Sequence, residues 1–194
     1  MGTKNQSMET AMRIIIVLTL MSTFCFGQSQ KLSIPKELQG TIPSFAVYSI
    51  NTDKLDQDDF KSKAKKAGAR RIVFSFFQTT CVNCMEEFVL LRRNASELKN
   101  NGVQIYLIDV GEDPDKMGDK VRDFVKEYAG DSFPLYFDQY GNLLKKSGLT
   151  DKSKDGKDVF IFPRSIVMDR DLRVLGVLSA VSKEDYPQIL WSEL

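Results

Sequence analysis

The chain has 194 residues, 42% hydrophobic and 27% charged, which is ordinary globular composition with room for one full core and a tail. Its 27 basic and 26 acidic residues nearly cancel, so charge gives no case for binding nucleic acid or an anionic membrane surface. There is no histidine, which removes the commonest general base and the commonest metal ligand together.

The N-terminus reads "MRIIIVLTLMSTFCFG", with basic Arg13 followed by a mostly apolar run from Ile14 to Phe26. The run is short for a membrane span of about 20 residues and fits a secretory signal peptide over residues 1–27. Gly27 is the small residue that permits cleavage before Gln28. The polar stretch 1–12 is long for such a leader, and Met8 and Met12 are alternative starts. Cys25 raises lipidation as an alternative fate, although bulky Phe24 precedes it. An exported protein left with one closely spaced cysteine pair lives where disulfides form and exchange.

Residues 28–42 are polar, with Pro35 and Gly40, and read as a linker or loosely tied arm before a domain at 43–194. A first strand is expected at 44–50. A helix follows at 56–68, with Asp residues early, Lys residues late and Gly68 as its stop. "RIVFSFFQ" (71–78) is a near-continuous apolar run, as a buried central strand requires. Residues 81–102 read as one long helix ended by Asn101-Gly102, and 103–111 as a second buried strand.

An amphipathic helix is expected at 113–130, with Val121, Phe124, Val125 and Tyr128 at helical spacing. A short strand (133–138) and a short helix come next. "DKSKDGKD" (151–158) reads as a charged, solvated loop. The segment 159–169 is β-like but contains Pro163, and 172–180 is close enough to pair with it as an antiparallel hairpin. A closing helix over 182–194 is capped by Ser182 despite Pro187. Alternating elements of this kind give an α/β fold with parallel central strands.

Cys81 and Cys84 fall where the buried strand runs into the long helix. Cys81 then lies at a helix N-terminus, where unpaired N–H groups and the dipole favour an anion, so its thiol is the attacking one. Thr79 and Thr80 offer cap-type hydroxyls nearby. Cys84, one turn inside, is the resolving thiol. A zinc site needs four ligands, and neither a second pair nor a histidine is present. A purely structural disulfide restricts few unfolded states across so small a loop. A thiol peroxidase using Cys81 is a chemical rival.

"FSFFQTTCVNCMEEF" resembles the active-site segment of thioredoxin-like proteins, and more closely that of the exported TlpA/ResA group of thiol-disulfide oxidoreductases. The likeness covers roughly residues 41–194. It implies a thioredoxin-like fold, a central mixed sheet with helices on both faces. "IFPRSIVMDRDLRVLGVL" resembles the segment with the family's cis-proline, matched by Pro163, and its β-hairpin. That proline faces the cysteines and leaves the backbone before it, here Phe162, free to pair with substrate; Thr80 flanks the same groove.

The resemblance also places Glu87, three residues after Cys84, as a proton partner for the resolving thiol; the residues themselves fit a solvated acid near the helix start equally well. Several positions depart from the wider pattern. Thr80 stands where thioredoxins carry Trp, and Ser75 where they bury an acid. Val82-Asn83 is unlike the usual proline-containing middle pair. The peroxiredoxin pattern fails at both cysteines: the Thr and Pro positions hold Gln78 and Phe74 before Cys81, and Cys81 and Phe77 before Cys84.

The resemblance implies no cofactor or metal, the dithiol itself being the redox group. It implies a monomer acting on protein thiols and disulfides, fed by a membrane thiol reductase, with cytochrome c maturation among the duties of the group. No histidine between the cysteines favours a reductant over a strong oxidant. The rival from another class is a redox-inert interaction module whose pair is a staple. "NAS" (94–96) has the form of a glycosylation sequon but falls mid-helix, where it reads as accidental.

Overall fold

The computed structural model describes residues 30–179 and 186–192. The expected leader over 1–27, with Cys25 and Gly27, lies outside these residues, as does the cap at Ser182. No helix among the described residues is long and apolar enough to cross a membrane.

Among the described residues, ten strands and six α-helices form the domain. The strands are β1 (Gln30–Leu32), β2 (Ala46–Tyr48), β3 (Lys54–Asp56), β4 (Arg71–Phe77), β5 (Val103–Val110), β6 (Leu135–Asp138), β7 (Thr150–Lys152), β8 (Asp158–Phe160), β9 (Arg164–Asp169) and β10 (Val174–Ser179). The helices are α1 (Gln57–Lys66), α2 (Val82–Arg93), α3 (Ala95–Asn100), α4 (Pro114–Tyr128), α5 (Asn142–Lys146) and α6 (Tyr186–Ser192). Eight strands make one sheet in the order β1-β10-β9-β4-β5-β6-β2-β3. Strands β4, β5 and β6 are parallel, whereas β9 runs antiparallel beside β4 and β10 antiparallel beside β9.

Strand alternation splits the core in two. Ile72, Phe74 and Phe76 of β4 face α1 and α5, while Val73 and Phe77 face α2, α3, α4 and α6. Phe60 of α1 meets Phe45, Phe74, Tyr106 and Tyr136 at ring-centroid distances of 4.8–5.6 Å, the spacing aromatic pairs favour. Helix α1 starts with a capping box. The Asp56 carboxylate accepts the backbone N–H groups of Asp58 and Asp59, and Asp59 reaches back to the N–H of Asp56. Asp56→Ala is expected to cost about 1 kcal/mol, read as a lower urea midpoint at unchanged slope.

Three expectations change. The helix foreseen at 81–102 breaks at Asn94 into α2 and α3. The Asn94 amide donates to the Leu90 carbonyl at 2.8 Å, and its own N–H reaches the Leu90 and Leu91 carbonyls, so the side chain competes with the helix ladder. The charged stretch 151–158 is not simply a loop: β7 and β8 form a separate two-stranded ribbon. Phe160 anchors it, stacking on Phe162 with centroids 6.2 Å apart and lying under the Lys145 ammonium. A Cβ at Gly141, where φ is +63°, would run into the Phe160 ring, so only glycine lets α5 start there.

The arm is also tied down. β1 pairs with β10 at the sheet edge, and Leu38 and Ile42 are fully buried, giving the segment apolar anchors that its polar composition hides. Pro187 lies within α6, whose described residues begin at Tyr186.

Candidate active site

Strand β4 ends at Phe77, and residues 78–81 turn the chain into α2. The Cys81 N–H bonds to the Gln78 carbonyl at 3.0 Å, and the Gln78 amide donates to the Val110 carbonyl at 2.8 Å, which pins the turn to the end of β5. Cys81 is the N-cap of α2 in an extended conformation, and its sulfur accepts the Cys84 N–H at 3.1 Å. That N–H, in the first turn of the helix, is shared between the sulfur and the Cys81 carbonyl at 3.1 Å, so a backbone donor and the positive end of the helix dipole face the Cys81 sulfur. The Thr79 and Thr80 hydroxyls, expected as caps, do not take that role. Thr79 donates to Glu112 Oε1 at 2.7 Å, and Thr80 is exposed.

Cys81 and Cys84 are joined as a disulfide. Cys81 is half-buried, whereas Cys84 is fully buried against Phe88 and Leu91. Val82, between them, is 65% exposed, so the pair opens to solvent on the Cys81 side. The Phe162–Pro163 peptide bond is cis. Arg164 pairs with Phe76, which sets Pro163 beside the end of β4 and the turn leading to Cys81. Phe162 is half-buried and packs on the apolar cluster that contains Cys84 and part of Cys81.

Glu87 lies one helical turn after Cys84 and is only 1% exposed, while Glu86 turns to solvent. Its Oε1 accepts hydrogen bonds from Ser75 Oγ (2.9 Å), the Tyr186 hydroxyl (2.8 Å) and Ser165 Oγ (3.5 Å). Burial pushes its pKa up to about 7, against the pull of the three hydroxyls. The acid that Ser75 lacks is thus supplied from the neighbouring helix, with Ser75 as its donor.

Sequence reasoning missed the hydroxyls of Ser165 and Tyr186. It also missed a second acidic group below the turn, where Asp109 ends up fully buried on β5. Asp109 Oδ1 accepts the Glu112 N–H at 3.3 Å, and Oδ2 is buried without a partner among the described residues. Burial, then the Glu112 charge and more weakly that of Asp138, push the Asp109 pKa up to about 8 against the Glu112 N–H bond. The available signal was a polar residue at a core-facing position of an apolar strand, true of Ser75, Asp109 and Ser165 alike. Among the described residues no group of three or more His, Cys, Asp or Glu side chains is placed to hold a metal ion.

The Redoxin family model matches residues 38–188. The chain is 27% identical over 170 residues to the thiol-disulfide oxidoreductase ResA of Bacillus cereus (strain ATCC 10987 / NRS 248), covering 84% of this chain and 83% of that protein. Its fold is similar to a thiol:disulfide interchange protein from Bacteroides sp., with TM-score 0.54, 13% identity and coverage of 78% and 86% of the two chains. It is also similar to the peroxidoxin BcpB of Mycobacterium tuberculosis, with TM-score 0.57, 16% identity and coverage of 86% and 96%. Both likenesses concern the fold, which is thioredoxin-like. With the family model matched across most of its length, the chain belongs to the Redoxin family.

Proposed function

We propose that this protein is an exported thiol-disulfide oxidoreductase that reduces disulfides in other proteins. The observation that carries the reading is the asymmetry of the pair: Cys81 at a helix N-terminus and reachable, Cys84 buried one turn before a buried carboxyl. The activity is that named for the ResA relative. The Cys81 thiolate attacks a substrate disulfide, releasing one substrate thiolate and forming a mixed disulfide. Cys84 then gives its proton to Glu87 and attacks the Cys81 sulfur. The second substrate thiolate leaves, and two electrons have passed to the substrate. A carboxyl that titrates near 7 suits proton exchange at neutral pH.

Pro163 and Phe162 frame the substrate groove beside Cys81, with Thr80 at its open side. The leader at 1–27 supports an extracytoplasmic site of action, with cleavage after Gly27 favoured over lipidation at Cys25. The chain acts as a monomer and needs no cofactor beyond the dithiol. A membrane thiol reductase supplies electrons, and cytochrome c maturation is one outlet.

A redox titration of the mature chain in thiol buffers, read by alkylation and mass, tests this. A reversible Cys81–Cys84 couple between roughly −300 and −200 mV is expected. A value near −120 mV would reverse the direction to oxidant. A bond that resists reduction until the fold is lost would make the pair structural and the reading wrong.

A further inference from the structure

We propose that Tyr186, Ser165 and Ser75 form a positioning device for Glu87, holding Oε1 as a fixed acceptor so that the proton exchanged with Cys84 is carried at Oε2. The proposal rests on the reading of Glu87 as the proton partner of Cys84. Three hydroxyls converge on one carboxyl oxygen and none of these bonds goes to the other.

The hydrogens can be assigned. Tyr186 has a single hydroxyl hydrogen, and at 2.8 Å it goes to Glu87 Oε1. Ser165 Oγ lies 2.9 Å from the Tyr186 oxygen and 3.5 Å from Oε1, so its hydrogen goes to the tyrosine oxygen. Ser75 donates directly to Oε1 at 2.9 Å. The result is a chain, Ser165 to Tyr186 to Glu87, with Ser75 as a second direct donor. A hydrogen arriving at Oε1 would face two donors and displace one of them. Oε2 carries the proton without disturbing the set.

The placement is costly unless it serves something. Ser75, Ser165, Tyr186 and Glu87 are at most 2% exposed, within a cluster that holds Val73, Phe88, Val167 and Leu178. They come from β4, β9, α6 and α2. Ser75 and Ser165 are register partners, so the two hydroxyls meet the carboxyl side by side. Arg71 fixes the other end of α6 by donating to the Leu190 carbonyl at 2.8 Å, which steadies the element that brings Tyr186 in. Among the groups facing Glu87 from these elements Tyr186 is the titratable one, and Cys84 is one turn earlier on its own helix.

Each hydroxyl donor favours the ionised carboxyl, so removing one moves Glu87 towards protonation. The test follows two-step reduction of a symmetric nitrobenzoate disulfide by the reduced protein. The first coloured thiolate reports attack by Cys81, and the second reports resolution by Cys84. Tyr186→Phe is expected to move the pH midpoint of the second step up by about one pH unit, with the first step within about twofold of wild type. Ser75→Ala is expected to move it the same way and carries the test where Tyr186→Phe does not fold. Glu87→Gln is expected to remove that midpoint. A midpoint unmoved in the donor variants but abolished in Glu87→Gln overturns the positioning device and leaves Glu87 in place. A midpoint that survives Glu87→Gln overturns the reading of Glu87 itself.

Discussion

Cys81→Ser is expected to lose disulfide reductase activity by on the order of a thousandfold or more, while Cys84→Ser keeps the first attack and stalls. A serine hydroxyl stays protonated at neutral pH and does not exchange with a disulfide, so the helix N-terminus has no sulfur anion left to stabilise. With Cys84→Ser the mixed disulfide on Cys81 has no internal thiol to break it, and it accumulates as a covalent adduct visible by mass. The readout for Cys81→Ser is reduction of an insulin disulfide with dithiothreitol as electron source; the Cys84→Ser adduct is read by intact mass after mixing the pre-reduced protein with insulin and no added thiol. Both variants should fold, because the cysteines are only three positions apart and their bond closes a very small loop. Turnover by Cys81→Ser above the uncatalysed rate would sink the assignment. The same holds for a Cys84→Ser protein that turns over normally without forming an adduct, as a one-cysteine peroxidase would.

The junction that carries the cysteines was legible because its signals are local. An apolar run of β-formers breaks at Gln78, and helix-forming residues resume after Cys81. Pro163 was legible for the opposite reason, as a residue that does not belong inside an apolar strand. The edges were not legible. β1 is only three residues long and is held by pairing to β10, a partner almost 150 positions away in the chain. The ribbon β7–β8 depends on Phe160 finding a glycine at 141 and the ammonium of Lys145, neither of which lies next to it in the chain. Asn94 looked like any polar residue on a helix face until its amide was seen competing for the Leu90 carbonyl.

The setting of Glu87 shows the same limit. Its spacing from Cys84 marked it, but its environment comes from hydroxyls 12, 78 and 99 positions away. Local charge pattern alone suits a solvated acid near a helix start equally well. Only the fold, which lays β9 and α6 against β4 and α2, separates that reading from a buried one. Ser75 had drawn notice as a place where an acid was missing, and the structure gives it a positive role as donor to the acid that is present.

Asp109→Asn is expected to stabilise the domain on the alkaline side by about 2 kcal/mol or more, and to do little on the acid side. The sign follows from the two states. The carboxyl titrates near its ordinary value of 3.8 in the unfolded chain and at about 8 in the fold. Between those values the folded chain holds a proton that the unfolded chain has released, so stability falls as pH rises through the window. Below 3.8 both states are protonated and there is no penalty; above 8 both are ionised and the penalty is complete. Glu87, raised from 4.5 to about 7, adds a slope of the same sign over a narrower range. Asparagine cannot ionise, keeps an oxygen for the Glu112 N–H, and offers a donor where Oδ2 has no partner among the described residues. Thermal unfolding at about pH 4 and about pH 8.5 reads the effect, with a gain of about 5 °C expected at the higher value and far less at the lower. An equal change at both pH values would mean that Asp109 acts through packing and not through its charge. The acid sits behind the turn that presents Cys81, reaching it through Glu112 and Thr79, so it burdens the fold at the place where the chemistry is done. If the asparagine variant gains stability and also loses resolving rate, the destabilising carboxyl belongs to the working machinery; if it gains stability at full rate, the fold merely tolerates it.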